Sequence, residues 1–343
     1  MTAGRTAEQA TSEQTTGSTT MRAVVQDVYG PTEDVLRLEQ IPRPAIGAGH
    51  VLVQVAAAGV DRGVWHLMAG EPYAIRLAGF GVRVPKNRVR GSEFAGRVVA
   101  VGADVTTLQP GDEVFGIGAG SFAEYVVAPM GKVALKPAGL TFEQAAAMPV
   151  SASTALQAVR DQGKVRPGQK VLVIGASGGV GTFAVQIAKA FGAEVTGVSS
   201  TAKVDLVRSL GADRVLDYTA GDVLGGPERY DVVLDIGGNT PLRRLRRALT
   251  ATGTLVIVGG EAGGRWLGIR RQLLAMVLSP FVGQKLGTFI NSENAADLVA
   301  LTGLVESGRV TPVVDRTFPL GEAPAAVAHM RLGRARGKVV VTV

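Results

Sequence analysis

The stretch that decides the fold is Lys170-Val-Leu-Val-Ile174, followed by Gly175-Ala-Ser-Gly-Gly-Val-Gly181 and a helix-forming run through Lys189. A buried strand breaks into glycines, and the glycines open a helix. At such a junction free backbone N–H groups and the positive end of the helix dipole face an incoming anion, and a pyrophosphate fits there. Gly178 lets the backbone approach the phosphates, and Gly181 lets the helix pack close to the strand. Compared with G-x-G-x-x-G, Ala176 replaces the first glycine and is itself preceded by Gly175. No Gly-Lys-Ser/Thr follows, which disfavours a Walker-type loop. Strand, loop and helix inside one βαβ unit point to a dinucleotide.

Working outward, the chain from Ser151 alternates strands (170–174, 194–198, 231–235, 254–258) with amphipathic helices (180–190, 203–210, 242–249). Parallel strands need a helical crossover, so this part reads as a doubly wound parallel sheet. Residues 21–149 differ. They carry short β-rich runs between Gly/Pro turns, at 22–26, 51–56, 97–101, 113–115 and 123–127, which suggests a small barrel or sandwich. After Phe289 come a helix over 295–307, a run over 310–318, a further helix and a terminal strand over 338–343, free to rejoin the first domain. The expected domains are 21–149, 150–288 and the returning 289–343. Residues 1–20, rich in Thr, Ser, Gly, Glu and Gln, read as a disordered extension.

About twenty residues past Gly178, an NAD site would place an acid for the ribose 2′-hydroxyl. Here Val198 leads into Ser199-Ser-Thr-Ala-Lys203, with hydroxyls and an ammonium that suit a 2′-phosphate. NADP(H) is therefore the expected cofactor, and capping of the next helix by Ser200 or Thr201 is compatible with it. Gly237-Gly238 and Gly259-Gly260 end later strands, where ligands of open sheets gather, although ordinary turns also explain them.

Composition narrows the chemistry. The 343 residues contain no cysteine, which excludes disulfides, thiolate nucleophiles and cysteine-ligated zinc, and the three histidines, His50, His66 and His329, lie far apart. The net charge is +7, but the densest arginines, Arg243, Arg244, Arg246 and Arg247, alternate with Leu242, Leu245 and Leu249 as on a solvated helix face. Thr240-Pro241 reads as that helix's N-cap and first residue. Without zinc-finger spacing or aromatic-studded basic strands, no nucleic-acid partner is expected. No signal peptide or membrane span is expected, because 267–289 is broken by Arg270, Arg271, Gln272 and Lys285. A cytoplasmic protein follows.

The chain resembles the medium-chain dehydrogenase/reductase superfamily, in its zinc-independent quinone oxidoreductase branch. The motifs are Ala57-Ala-Gly-Val60, Arg90-Gly-Ser-Glu-Phe-Ala-Gly96, Pro110-Gly-Asp-Glu-Val-Phe115, Gly120-Ser-Phe-Ala-Glu-Tyr125, Gly175 to Gly181, Leu210-Gly-Ala-Asp213, Asp217-Tyr218 and Arg336-Gly-Lys-Val-Val340. The resemblance implies a GroES-like β-rich catalytic domain split around a Rossmann domain, an α/β architecture with the active site in the cleft, and often a homodimer through the Rossmann sheet edge. It puts Ser177, Gly178, Gly179 and Val180 at the pyrophosphate, and Ser200, Lys203 and Tyr218 at the 2′-phosphate beside Ser199. It also puts Thr154 near the nicotinamide, and Phe289 to Asn291 with Lys338 over the cofactor. Ordinary structural roles compete for Thr154, Tyr218 and Lys338.

Where zinc alcohol dehydrogenases carry Gly-His-Glu, this chain has Gly91-Ser92-Glu93, and Asp61 replaces a cysteine ligand. No metal is expected. The implied activity is metal-free hydride transfer from NADPH to a quinone, enone or related conjugated carbonyl. Alternatives are an enoyl-thioester reductase, with residues 76–90 as a basic mouth for a carrier phosphate, and a non-catalytic NADPH-binding interaction protein. The expected substrate pocket is Asp61, Trp65 and His66. Trp65 offers a flat wall, His66 a proton or hydrogen bond, and Asp61 an orienting group, with helix capping by Asp61 as the plainer account.

Overall fold

The computed structural model describes residues 19–259 and 269–343. The expected extension lies almost wholly outside the described residues, as does Gly260; the first strand begins at Thr20. Strands β1 (Thr20–Val25) and β2 (Arg37–Pro42) form an antiparallel pair. A larger sheet holds β3 (His50–Val60), β4 (Glu93–Val101), β5 (Glu113–Ile117), β6 (Tyr125–Pro129) and β7 (Val133–Leu135). Strand β3 is its axis. It pairs with β4 along one edge and with β6 through residues 50–54 on the other.

The parallel sheet contains β8 (Lys170–Ile174), β9 (Glu194–Ser199), β10 (Arg214–Asp217), β11 (Tyr230–Asp235), β12 (Leu249–Ile257) and β13 (Lys285–Thr288), in the order β10-β9-β8-β11-β12-β13. Val171, Val173, Val232, Leu234 and Val256 pack on one face with helices Pro149–Gln157, Gly179–Ala190 and Ala295–Glu306. Leu172, Val233, Leu255 and Ile257 pack on the other with helices Leu242–Ala248 and Arg270–Leu278. Alternation of period two with both faces covered is why these strands read as unbroken apolar runs. The strand order reverses between β8 and β11, and the glycine loop leaves β8 at that switch point, where ligands of such sheets bind.

Finally β14 (Val314–Pro319) and β15 (Lys338–Thr342) join the first large sheet, β15 pairing antiparallel with residues 57–60 of β3. This pairing carries β3 past Ala56, where the sequence suggests it stops: Ala57, Ala58 and Gly59 are weak strand formers, but partners on both edges hold them. Two helix starts also differ from expectation. Pro241 rather than Thr240 is the N-cap of Leu242–Ala248, without a side-chain cap, and Thr201–Lys203 forms a separate 3₁₀ turn before the helix Val204–Ser209. Leu242 and Leu245 are buried while Arg243, Arg244 and Arg247 are exposed, as on an amphipathic helix.

The β3–β4 contact leaves no room for a side chain at Gly96, where a Cβ would lie 2.0 Å from the Gln54 carbonyl oxygen. Gly96→Ala should therefore lower unfolding stability by about 1–3 kcal/mol or more. Gly139→Ala, where a Cβ meets open space, should stay within about 0.5 kcal/mol of the parent. Urea denaturation of both variants checks this.

Candidate active site

Gly175 has φ 85°, and a Cβ there would press on Gly237. A Cβ on Gly181 would stand 2.0 Å from the Gly175 carbonyl oxygen, so the helix abuts the strand as the glycine pattern suggests. At Gly178, the N-cap of helix Gly179–Ala190, the nearest atom to a Cβ would be 3.6 Å away. The loop is therefore tight beneath and open above. Gly237 and Gly259 are close-packed turns: the Gly237 N–H donates to Ile174, and a Cβ on Gly259 would collide with the Ile236 carbonyl.

The returning C-terminal segment is fastened to this loop. The Gly337 N–H donates to the Ser177 carbonyl at 3.0 Å, and Gly337 bridges Gly178. One residue on, Lys338 is only 2% exposed, and its Nζ donates to Glu93. The other Glu93 oxygen accepts the Val150 N–H at 2.9 Å, near the start of helix Pro149–Gln157. The Lys338 stem also lies against Gly179. Burial pushes the Glu93 carboxyl up to about 7, against the pull of Lys338 and with a push from Asp61.

Asp61 caps helix Arg62–Ala69: Oδ1 accepts the Val64 N–H, and Oδ2 accepts the Ser92 hydroxyl, both at 3.1 Å. Capping and a link to Ser92 thus coexist. His66 Nδ1 contacts the Glu71 carbonyl at 2.8 Å. A carbonyl only accepts, so Nδ1 carries the proton and Nε2 is the ring nitrogen left over. Trp65 is edge-on to His66, packs against the β-domain core and lies under Arg331. Thr154 donates to the Val150 carbonyl four residues back. Phe289 packs on the parallel-sheet core, while the buried Asn291 Oδ1 has no partner among the described residues.

At the adenosine end, Lys203 is not a free ammonium: its Nζ donates to the carbonyls of Gly333 and Ala335 at 3.0 and 2.7 Å, and burial lowers its pKa. The buried Ser199 hydroxyl contacts the Ser200 carbonyl, and Ser200 makes no side-chain cap. Thr201 does not cap either; its hydroxyl bonds Asp217 and Thr219. Asp217 pairs with Ser199 across β10 and β9, so a carboxylate does stand beside this subsite, reached from the neighbouring strand. Hydrogen bonds from Thr201 and Thr219 hold it below the usual range. Tyr218 is 58% exposed at the same end, and Arg336 donates to the Ala202 carbonyl.

The sequence analysis names Lys338 over the cofactor but misses its pairing with Glu93, and it assigns no role to Arg336 or Arg271. Arg271 donates to the Thr240 and Gly259 carbonyls and pairs with the buried Asp235 at 2.5 Å. It ties together the ends of β11 and β12. In the sequence it is visible only as a charge interrupting an apolar run.

A glycine loop at the switch point of a doubly wound sheet, joined to a β-rich domain through a buried ion pair, defines a nicotinamide-dependent oxidoreductase. Residues 47–138 match the alcohol dehydrogenase GroES-like domain, and residues 210–341 match the zinc-binding dehydrogenase family. The chain is 35% identical to the mouse mitochondrial NAD(P)H oxidoreductase RTN4IP1, over 95% of this chain and 90% of that protein. It is 34% identical to the chloroplastic NADPH-dependent alkenal/one oxidoreductase of Arabidopsis thaliana, over 94% of this chain and 79% of that one. The quinone oxidoreductase structure of Coxiella burnetii superposes with TM-score 0.82 at 29% identity, covering 94% of this chain and 99% of that one. The chain belongs to the medium-chain dehydrogenase/reductase superfamily, in its quinone-oxidoreductase-like branch. It is an NAD(P)H-dependent enzyme.

The Glu93–Lys338 pair gives a pH test. A carboxyl whose folded pKa lies above its unfolded one stabilises most below the unfolded value, and the contribution is lost as pH rises through the folded value. Lys338→Met leaves Glu93 without its counter-charge. Its stability deficit should be small at pH 5, where Glu93 takes up a proton, and about 3–5 kcal/mol at pH 8. Adding Glu93→Gln should remove the pH dependence. Denaturant unfolding at both pH values decides, and an equal deficit at each contradicts the account.

Proposed function

We propose that this enzyme transfers hydride from NADPH to a quinone, enone or related conjugated carbonyl without zinc. The observation that carries the reading is the open glycine loop at Gly178, bonded through Gly337 to the domain that holds Asp61 and Ser92. The residues fit a dinucleotide: a Cβ at Gly178 would fill the cradle, and the orphaned Asn291 oxygen awaits a donor. They do not fit zinc. Asp61 already accepts two hydrogen bonds, Ser92 stands where an imidazole is needed, and sulfur donors are absent. Among the described residues no three His, Asp or Glu side chains converge to hold a metal.

When bound, the reduced nicotinamide supplies the hydride. Ser177 to Val180 present backbone N–H groups to the pyrophosphate, with Gly237 and Gly259 at the strand ends and Thr154 on helix Pro149–Gln157. Ser200, Lys203 and Tyr218, joined by Arg336, receive the 2′-phosphate; Asp217, which stays ionised under three hydrogen bonds from Thr201 and Thr219, is outweighed there by the cations of Lys203 and Arg336. Asp61 fixes the Ser92 hydroxyl by accepting its one proton, so the pair flanks and orients the reacting end rather than donating to it. His66 Nε2, an acceptor in this tautomer, takes a proton from solvent and relays it to the reacting end, with Trp65 seating its helix.

The chain also carries a sheet edge at β13, which among the described residues pairs only with β12, next to exposed Leu273, Leu274, Met276, Val277 and Phe281. An exposed edge beside an apolar patch favours pairing with a second copy, and we propose a homodimer there. Light scattering should give twice the 35.4 kDa chain mass, and Leu274→Glu with Val277→Glu should give the single mass; a monomeric parent refutes the dimer.

The deciding experiment follows oxidation of NADPH and NADH over a panel of quinones and enones, with and without chelator. Activity should persist in chelator, and NADPH should be preferred. Lys203→Ala should erode that preference about tenfold to hundredfold, the value of a charge-assisted phosphate contact. Asp61→Ala should lower turnover with NADPH binding largely kept. Equal affinity for both cofactors in the parent, or activity restored only by zinc, would overturn the respective assignment.

A further inference from the structure

Arg90 is held by its backbone between two elements: its N–H donates to Val24 and its carbonyl accepts from Phe122. The residue is 6% exposed, and its Nε is buried without an acceptor. Among the described residues no hydrogen bond, ion pair or ring contact reaches the side chain. Its neighbours are different. Arg88 pairs with Asp27 and Glu39 at the surface. Arg76 lies over Tyr29 and Tyr73 and donates to the Ala69 and Gly70 carbonyls. Tyr29 feels the charge of both Arg76 and Arg90 while its hydroxyl donates to the Phe80 and Gly81 carbonyls. The corner beneath residues 80–91 thus holds two guanidinium groups, Arg76 engaged by rings and carbonyls and Arg90 with no partner among the described residues.

A guanidinium does not escape burial by losing its proton. An uncompensated buried charge is strongly unfavourable, and an anion carried by a ligand resolves it. The planar fork of arginine matches a carboxylate with two parallel hydrogen bonds. Position narrows the ligand further. Arg90 is two residues from Ser92, whose hydroxyl is bonded to Asp61, and two residues of chain span at most about 7 Å. An anion on Arg90 therefore belongs within one small molecule of the Asp61 and Ser92 end. The phosphate of a thioester carrier, at the far end of a pantetheine arm, fits that spacing poorly.

We propose that Arg90, flanked by Arg76 and Tyr29, binds a carboxylate on the substrate itself, so that the enzyme selects conjugated carbonyl compounds bearing an acid group. The inference rests on Asp61 and Ser92 flanking the reacting end, as in the functional reading above. Its test compares 4-oxo-2-pentenoate with its methyl ester as acceptors for NADPH, read as the ratio of kcat/KM values. The parent should favour the acid at least tenfold. Arg90→Gln should bring the ratio near one, and Arg90→Lys should keep part of the preference. In parallel, saturated 4-oxopentanoate should raise the Tm of the parent but not of Arg90→Gln.

That thermal response needs no turnover. If it is seen while no acceptor supports NADPH oxidation, the hydride-transfer reading fails and the Arg90 site stands. An acid-to-ester ratio unchanged by Arg90→Gln overturns the proposal, as does a variant that loses rate only on an enoyl-CoA thioester, which would give the corner to a carrier phosphate. Should Arg90→Gln not fold, the parent alone decides: no acid preference and no thermal response reject the site.

Discussion

The contact between Glu93 and Lys338 is the constraint on which the cleft depends. Lys338 begins the last strand and Glu93 begins β4, and over Gly59 of the same sheet both groups meet the starts of two helices of the other domain, at Val150 and Gly179. Burying two charges is costly unless each is closely matched. Here the second carboxylate oxygen is satisfied by a helix N-terminal N–H, a donor that otherwise lacks a partner. The arrangement fixes where the glycine loop stands relative to Asp61 and Ser92, and Gly337 adds a main-chain bond to Ser177.

A second tie works at the opposite side of the switch point. Arg271 reaches from its helix to Asp235 and to the carbonyls of Thr240 and Gly259, so one guanidinium holds the ends of two neighbouring strands. At the adenosine end, Lys203 and Arg336 cross-link the two domains through backbone carbonyls. The cations on this cleft are therefore engaged by carboxylates and backbone carbonyls of other elements. Arg90 stands apart from all of them because its side chain has no partner among the described residues.

The strand-loop-helix at 170–189 was legible because its determinants are local. An apolar run, a positive-φ glycine at 175 and the close approach at Gly181 all fall within twelve residues, and periodicity carries the rest of the parallel sheet. Asp61 was legible as a helix cap for the same reason. The continuation of β3 through Ala57 to Gly59 was not, because small residues have little strand preference of their own and obtain it from β15, nearly three hundred residues later.

By itself, then, the sequence determined a dinucleotide fold, the lack of thiolate chemistry and the positions of the glycine loop and the Asp61 cap, since each depends on composition or on neighbours along the chain. Only the tertiary structure decided that Lys338 answers Glu93, that Asp217 comes beside Ser199, that Lys203 is engaged by carbonyls and that Arg90 is buried alone. Those are pairings, or missing pairings, between charges far apart in sequence. Burial sets their strength, and burial exists only once the sheets have closed around them.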